Sequence, residues 1–108
     1  MTLCACMIQE GQIPEHQIGP LEEGLSEISS RYFAVPAETL WTAVDAGNGW
    51  TAGEPSTTSL VIMYVPAGIQ QDERTSLLRS ICDRWAAVTG CSMNEIVATA
   101  RDMESQGA

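Results

Sequence analysis

The chain has 108 residues and a formal net charge of −9, with a pI of about 4.2, which is one domain's length of strongly acidic polypeptide. That charge argues against nucleic acid or an anionic membrane as a partner, because both select a basic face. No apolar run reaches the length of a membrane span and no charged leader precedes an apolar signal core, so the expected compartment is the cytoplasm.

The opening stretch Thr2-Leu3-Cys4-Ala5-Cys6-Met7-Ile8-Gln9 is a short apolar run closed by Glu10-Gly11, the pattern of a buried strand. Pro14 and Glu15 then enter a helix over about 14–32, with Ile18, Leu21, Leu25, Ile28 and Tyr32 on one stripe. Gly19-Pro20 is expected to kink that helix or delay its start, and Val35-Pro36 to end it. Residues 40–44 read as a second strand, and 46–58, with three glycines and a proline, as one long loop. The almost continuously apolar stretch 59–65 is expected to be a strand covered on both faces. Pro66-Ala67-Gly68 turns the chain into a second helix over 71–89, whose stripe is Leu77, Leu78, Ile81, Cys82, Trp85 and Val88. Gly90 supplies its stop. Ser92-Met93-Asn94-Glu95 has capping-box form and predicts a short turn before a last strand over 96–101. The segment 102–108 reads as a solvated acidic tail.

The two halves resemble each other. Gly11 and Gly68 each close a strand and open a helix, and the same offset carries Leu21 onto Leu78, Glu38 onto Glu95, Thr42-Ala43 onto Thr99-Ala100 and Asp45 onto Asp102. One offset holding across strand, helix and strand indicates a duplicated unit. The expected architecture is α/β (α+β): two tandem β-α-β units, about 2–45 and 59–102, joined by loop 46–58 in a single domain over 1–108. Each unit has two parallel strands and a crossover helix, giving a four-stranded sheet with both helices on one face. The other face, apolar and uncovered, calls for a partner subunit.

The residues able to do chemistry are few. All five basic residues are arginine (Arg31, Arg74, Arg79, Arg84, Arg101), so no lysine is available as base or Schiff-base partner. Cys4 and Cys6, two apart on one strand, lack the geometry of a disulfide, and with no second ligand pair or nearby histidine they make no zinc site. The four cysteines are expected to be free thiols acting as small hydrophobes, and neither metal nor cofactor is implied. His16, at the start of an exposed helix, is given no role. Thr2 is small enough for Met1 to be removed. The exposed amine, ordinarily titrating near pH ~8, would then serve as a base. Trp41 and Tyr64 sit at strand positions able to line an aromatic pocket, Trp50 lies in the glycine-rich loop as a lid or subunit contact, and Trp85 belongs to the core. Arg101 and Asp102, at the end of the last strand, read either as a surface ion pair or as a carboxylate anchor with a water-orienting acid.

A strand from the start of the chain, Ile8-Gln9-Glu10-Gly11, an amphipathic helix, Val35-Pro36 leading to a strand, and a matched second unit together resemble the tautomerase superfamily. The length is similar to that of malonate semialdehyde decarboxylase, cis-3-chloroacrylic acid dehalogenase and macrophage migration inhibitory factor, and each half to the short 4-oxalocrotonate tautomerases. The resemblance implies a β-α-β fold and a homotrimer with sites at the start of the first strand, near subunit boundaries. It also implies an isomerase, or a lyase or cyclase, acting on a small carbonyl compound. The family's N-terminal proline is Thr2 here. Its arginine after Glu-Gly falls on Gln12, that of the second strand on Trp41, and the paired arginines after the third strand near Ala67 and Ile69. The water-orienting carboxylate falls near Asp102. The catalytic candidates are therefore Thr2 and Asp102, with Trp41, Tyr64, Arg101 and Trp50 as substrate-binding candidates. The alternative is a non-catalytic trimer of the same fold that binds a small molecule or is purely structural.

Overall fold

Strand and helix alternate in the computed structural model, which describes residues 2–103. The order is β1 (Thr2–Gln9), α1 (Glu15–Phe33), β2 (Ala37–Val44), a small hairpin of β3 (Trp50–Thr51) and β4 (Glu54–Pro55), β5 (Ser59–Val65), α2 (Gln71–Thr89) and β6 (Ile96–Asp102). A 3-10 turn at Met93–Glu95 carries the expected capping box. β1 pairs in parallel with β2, β5 in parallel with β6, and β1 runs antiparallel to β5, so the sheet order is β2-β1-β5-β6. Parallel neighbours need a long crossover, which one 19-residue helix supplies in each half.

Both helices lie on one face of the sheet. From the strands, Cys4, Cys6, Val61, Met63, Val65 and Ile96 meet Leu21, Leu25 and Ile28 of α1 and Leu77, Ile81 and Trp85 of α2. The stripes drawn from helical spacing are the buried faces. α1 ends with Ala34 and α2 with Gly90, each in the left-handed conformation with its N–H returned to the carbonyl four residues back.

The opposite face carries no helix. The register stacks its side chains in three rows across the sheet: Glu38, Leu3, Tyr64 and Arg101; Leu40, Ala5, Ile62 and Thr99; Thr42, Met7, Leu60 and Val97. Leu40, Met7 and Val97 are large apolar side chains open to solvent here, at 51%, 43% and 46% exposure. That is too much apolar surface to be scattered chance.

The structure refines three expectations. α1 passes through Pro20 without a break: the N–H that proline lacks would have paired with His16, whose exposed carbonyl end water can serve. The loop 46–58 contains the hairpin, turned through Ala52 and Gly53, both at positive φ. Asp102 belongs to β6, and Met103 donates its N–H to Val65 at 2.7 Å. The remainder of the expected tail lies outside the described residues. Among the described residues no helix is long and apolar enough to cross a membrane.

Candidate functional site

The start of β1 is anchored on its helix side. Thr2 is 1% exposed. Its backbone N–H donates to the Pro36 carbonyl at 3.0 Å, and its hydroxyl meets the Ser29 hydroxyl at 2.5 Å. Ser29 in turn donates to the Val35 carbonyl at 2.8 Å. A hydroxyl has one proton to give. With that of Ser29 committed to Val35, Thr2 is the donor between the two. β1, the end of α1 and the start of β2 are thereby joined at one point.

Two strands away, Asp102 faces the same side of the sheet. It receives the Arg74 guanidinium at 2.8 Å, and Arg74 also donates to the Ala100 carbonyl at 3.3 Å. The spacing of neighbouring strands puts Thr2 and Asp102 about 10 Å apart, with Val65 between. Tyr64 and Arg101 are cross-strand partners, and Tyr64 pairs with Leu3. These two occupy the open face at the same end of the sheet. An open groove of about 640 Å³ follows the outer edge of β6 here, lined by Ile62, Arg74, Thr99, Ala100, Arg101 and Asp102.

Four of the six sequence candidates, Thr2, Tyr64, Arg101 and Asp102, thus share one end of the sheet. Trp41 does not join them. It pairs with Cys6, four residues along β1, and turns toward the helices. There its ring lies against Trp85, with centroids 6.0 Å apart, and its Nε1–H donates to Glu22 at 2.7 Å. Trp50, 61% exposed, stands on the hairpin at the far end of the sheet. Ser29 and Arg74 are participants that sequence reasoning passed over. Ser29 had a signal, being a polar residue beside Leu25 and Ile28 on the apolar stripe. Arg74 had none, because its partner lies in another element.

The far end has its own polar framework. The buried Gln9 accepts from the Gly47 N–H at 3.0 Å and donates to the Ser56 carbonyl at 2.8 Å, holding both limbs of the hairpin loop against β1. A side chain at Gly49 would collide with the Gln9 amide and the Ser56 carbonyl, so the clamp requires glycine there. Gln12 accepts from the Gln9 N–H and donates to the Ser59 hydroxyl at 2.9 Å and to the Thr57 carbonyl. All four cysteines are free. A hydrogen bond with Cys4, and then burial, hold the Cys6 thiol far above the ordinary range, which suppresses its thiolate. No three His, Cys, Asp or Glu side chains among the described residues are grouped to hold a metal ion.

No family model matches the chain, and no curated protein matches it by sequence. Solved structures do. Native Ps01740 is 29% identical with a TM-score of 0.87, over 98% of this chain and 97% of that one. A symmetric trimer of wild-type fused 4-OT is 19% identical with a TM-score of 0.82, over 94% of this chain and 85% of the other. N1, a member of the cis-3-chloroacrylic acid dehalogenase family, is 15% identical with a TM-score of 0.86, over 98% and 78%.

Proposed function

The chain has the fold of the tautomerase superfamily, and we propose that it is a homotrimeric enzyme acting on a small carbonyl compound at the start of β1. The observation that carries the reading is the register Leu3–Tyr64–Arg101, which brings a phenol and a guanidinium beside the first residues of the strand. With Met1 removed, the Thr2 amine takes a proton from the carbon next to the substrate carbonyl, leaving an enolate. Tyr64 and Arg101 donate to the enolate oxygen. The amine returns its proton either to that oxygen, giving the enol, or, where a neighbouring double bond extends the enolate to a dienolate, to its γ-carbon, so that either way an isomerisation is completed. Asp102 is held beside the groove by the Arg74 guanidinium at 2.8 Å.

The trimer reading rests on the open sheet face. Leu40, Met7 and Val97 find water on one chain and a neighbour in an assembly, and one of the similar solved structures is itself a trimer. Trp50 cannot reach the Thr2 end of its own sheet. On a hairpin at the opposite end it contacts a neighbouring subunit, and that is how it would enter a site. Trp41 is left out of the site, since it faces the helices. Four free thiols fit a reducing compartment, and we place the protein in the cytoplasm.

A second reading has its own observation. The Thr2 side chain is buried and its hydroxyl fully engaged, as is natural in a trimer of this fold that binds or merely assembles. Exchange of α-protons separates the two. Acetylacetone and 2-oxobutanoate are incubated in D2O with protein whose intact mass shows loss of Met1, and exchange is followed by proton NMR. Exchange above buffer that falls at least tenfold on Tyr64→Phe supports the enzyme. No exchange above buffer leaves the non-catalytic trimer.

A further inference from the structure

Ser59 opens β5 as Thr2 opens β1. Ser59 pairs with Ile96 at the start of a parallel strand, as Thr2 pairs with Ala37. The far end of the sheet is therefore the second unit's counterpart of the Thr2 end. Two adjoining clefts of about 420 and 350 Å³ lie there, sharing Gly11, Gln12 and Thr57. The second is completed by Ile13, Trp85, Thr89, Gly90, Cys91 and Glu95.

Its polar groups are accounted for, except one. Gln12 spends its amide on Gln9, Thr57 and Ser59. Glu95 accepts from the Ser92 N–H at 2.9 Å and from the Thr57 hydroxyl. The Trp85 ring is 1% exposed, and its Nε1–H has no hydrogen-bond partner among the described residues. A buried donor left unpaired destabilises the fold unless something else accepts from it.

The charges restrict what that can be. Neither cleft is lined by Lys, Arg or His, while Glu10 and Glu95 stand at their walls in a chain of net charge −9. An anion is repelled. A neutral carbonyl oxygen is the acceptor the buried indole lacks, reached by a small shift of the ring toward the cleft it lines, and a donor on the same molecule finds the Glu95 carboxylate.

We propose that the cleft floored by Trp85 is a second ligand site, taking a small neutral carbonyl compound that carries its own N–H or O–H, of which a primary carboxamide is the simplest. The Thr57 hydroxyl, and then the Ser92 N–H, hold the Glu95 carboxyl below its ordinary range, so it acts only as an acceptor at neutral pH. The site is separate from the Thr2 end and stands whether or not that end is catalytic.

Butyramide is the probe and butyrate, nearly its equal in size, the control. The chain has three tryptophans, so three indole N–H resonances report on one titration of the native protein. Butyramide is expected to move the Trp85 resonance saturably, identified by its loss in Trp85→Phe, while that of the exposed Trp50 stays put. Butyrate is expected to move neither. Glu95→Gln keeps a side chain able to cap the 3-10 turn and removes the charge; it should weaken butyramide about tenfold, the worth of one charge-assisted hydrogen bond. If Trp85→Phe does not fold, assignment passes to Trp41→Phe and Trp50→Phe by elimination. A Trp85 resonance indifferent to butyramide, butyrate binding as well as butyramide, or Glu95→Gln binding as tightly as the native chain each overturns the proposal. So does an indole N–H that shows exchange only with a long-lived water.

Discussion

The hydroxyls of Thr2 and Ser29 meet at 2.5 Å in the interior and tie the first residue of β1 to the last turns of α1. Removing Ser29 leaves the Val35 carbonyl without its donor and the Thr2 hydroxyl with only its longer contact to the Pro36 carbonyl, at 3.4 Å. Ser29→Ala should cost about 1–3 kcal/mol of stability, the range for buried groups left unpaired. Urea unfolding followed by circular dichroism measures it. Thr2→Val, which keeps shape and removes only the donor, should cost less. A neutral Ser29→Ala would mean that the contact carries no weight.

The open face is expected to hold the trimer. Leu40→Asp and Val97→Asp change side chains that stand in solvent on the single chain, so each should leave the fold within about 0.5 kcal/mol. In an assembly the same charge is buried against a neighbour, where it is strongly unfavourable. Light scattering at micromolar concentration should find the native protein trimeric and both variants shifted to monomer. A native monomer ends the trimer reading.

The thiols divide by burial. Cys4 and Cys6 are 0% and 1% exposed, whereas Cys82 and Cys91 are half-buried. A disulfide reagent should label Cys82 and Cys91 in the folded protein, and Cys4 and Cys6 only after unfolding. Burial, and then the Asp83 charge, push the Cys82 thiol up, which slows it further. Cys4→Ala and Cys6→Ala should each cost about 1–2 kcal/mol in packing and leave any turnover unchanged.

Glu95 gives a pH dependence of known sign. Hydrogen bonds from Thr57 and then Ser92 hold its folded pKa below the ordinary 4.5. A depressed carboxyl contributes stability above its unfolded pKa and loses it as pH falls through the folded value. Native protein should therefore lose its margin over Glu95→Gln below about pH 4.5 and keep it at pH 7. Thermal unfolding of both proteins across that range is the measurement. A margin that does not change with pH would remove the charge from the account.

Local pattern made most of the fold legible. The almost continuously apolar run at 59–65 is β5 to the residue, the 71–89 stripe is α2, and the capping box at Ser92 begins its turn where the spacing says. What was not legible depends on partners far along the chain. The hairpin at Trp50–Pro55 has strands of two residues, too short for any periodicity, and is held by Gln9 from across the sheet. Arg74 finds Asp102 only because α2 packs over β6. Strand register is equally hidden: nothing in residues 37–44 by themselves says that Trp41 faces Cys6.

That register decides the last expectation. Trp41 lies four residues beyond the start of the strand pair, about 13 Å from the Thr2 level, and its ring packs on Trp85 beneath the helices. Its Nε1–H goes to an exposed carboxylate, Glu22, where water can substitute. Trp41→Phe keeps an aromatic ring on Trp85 and gives up that hydrogen bond, so it should cost about 1 kcal/mol. Trp41→Ala also opens a gap beside Trp85 and should cost about 2–3 kcal/mol for this half-buried ring. Neither should alter the α-proton exchange rate of a folded protein, whereas Tyr64→Phe, beside Leu3, should lower that rate and leave the melting temperature nearly unchanged. Exchange rate and melting temperature measured on the same three variants make the comparison. If Trp41→Phe abolishes exchange at an unaltered melting temperature, the aromatic wall of the site lies between β2 and α2, and Tyr64 is not part of it.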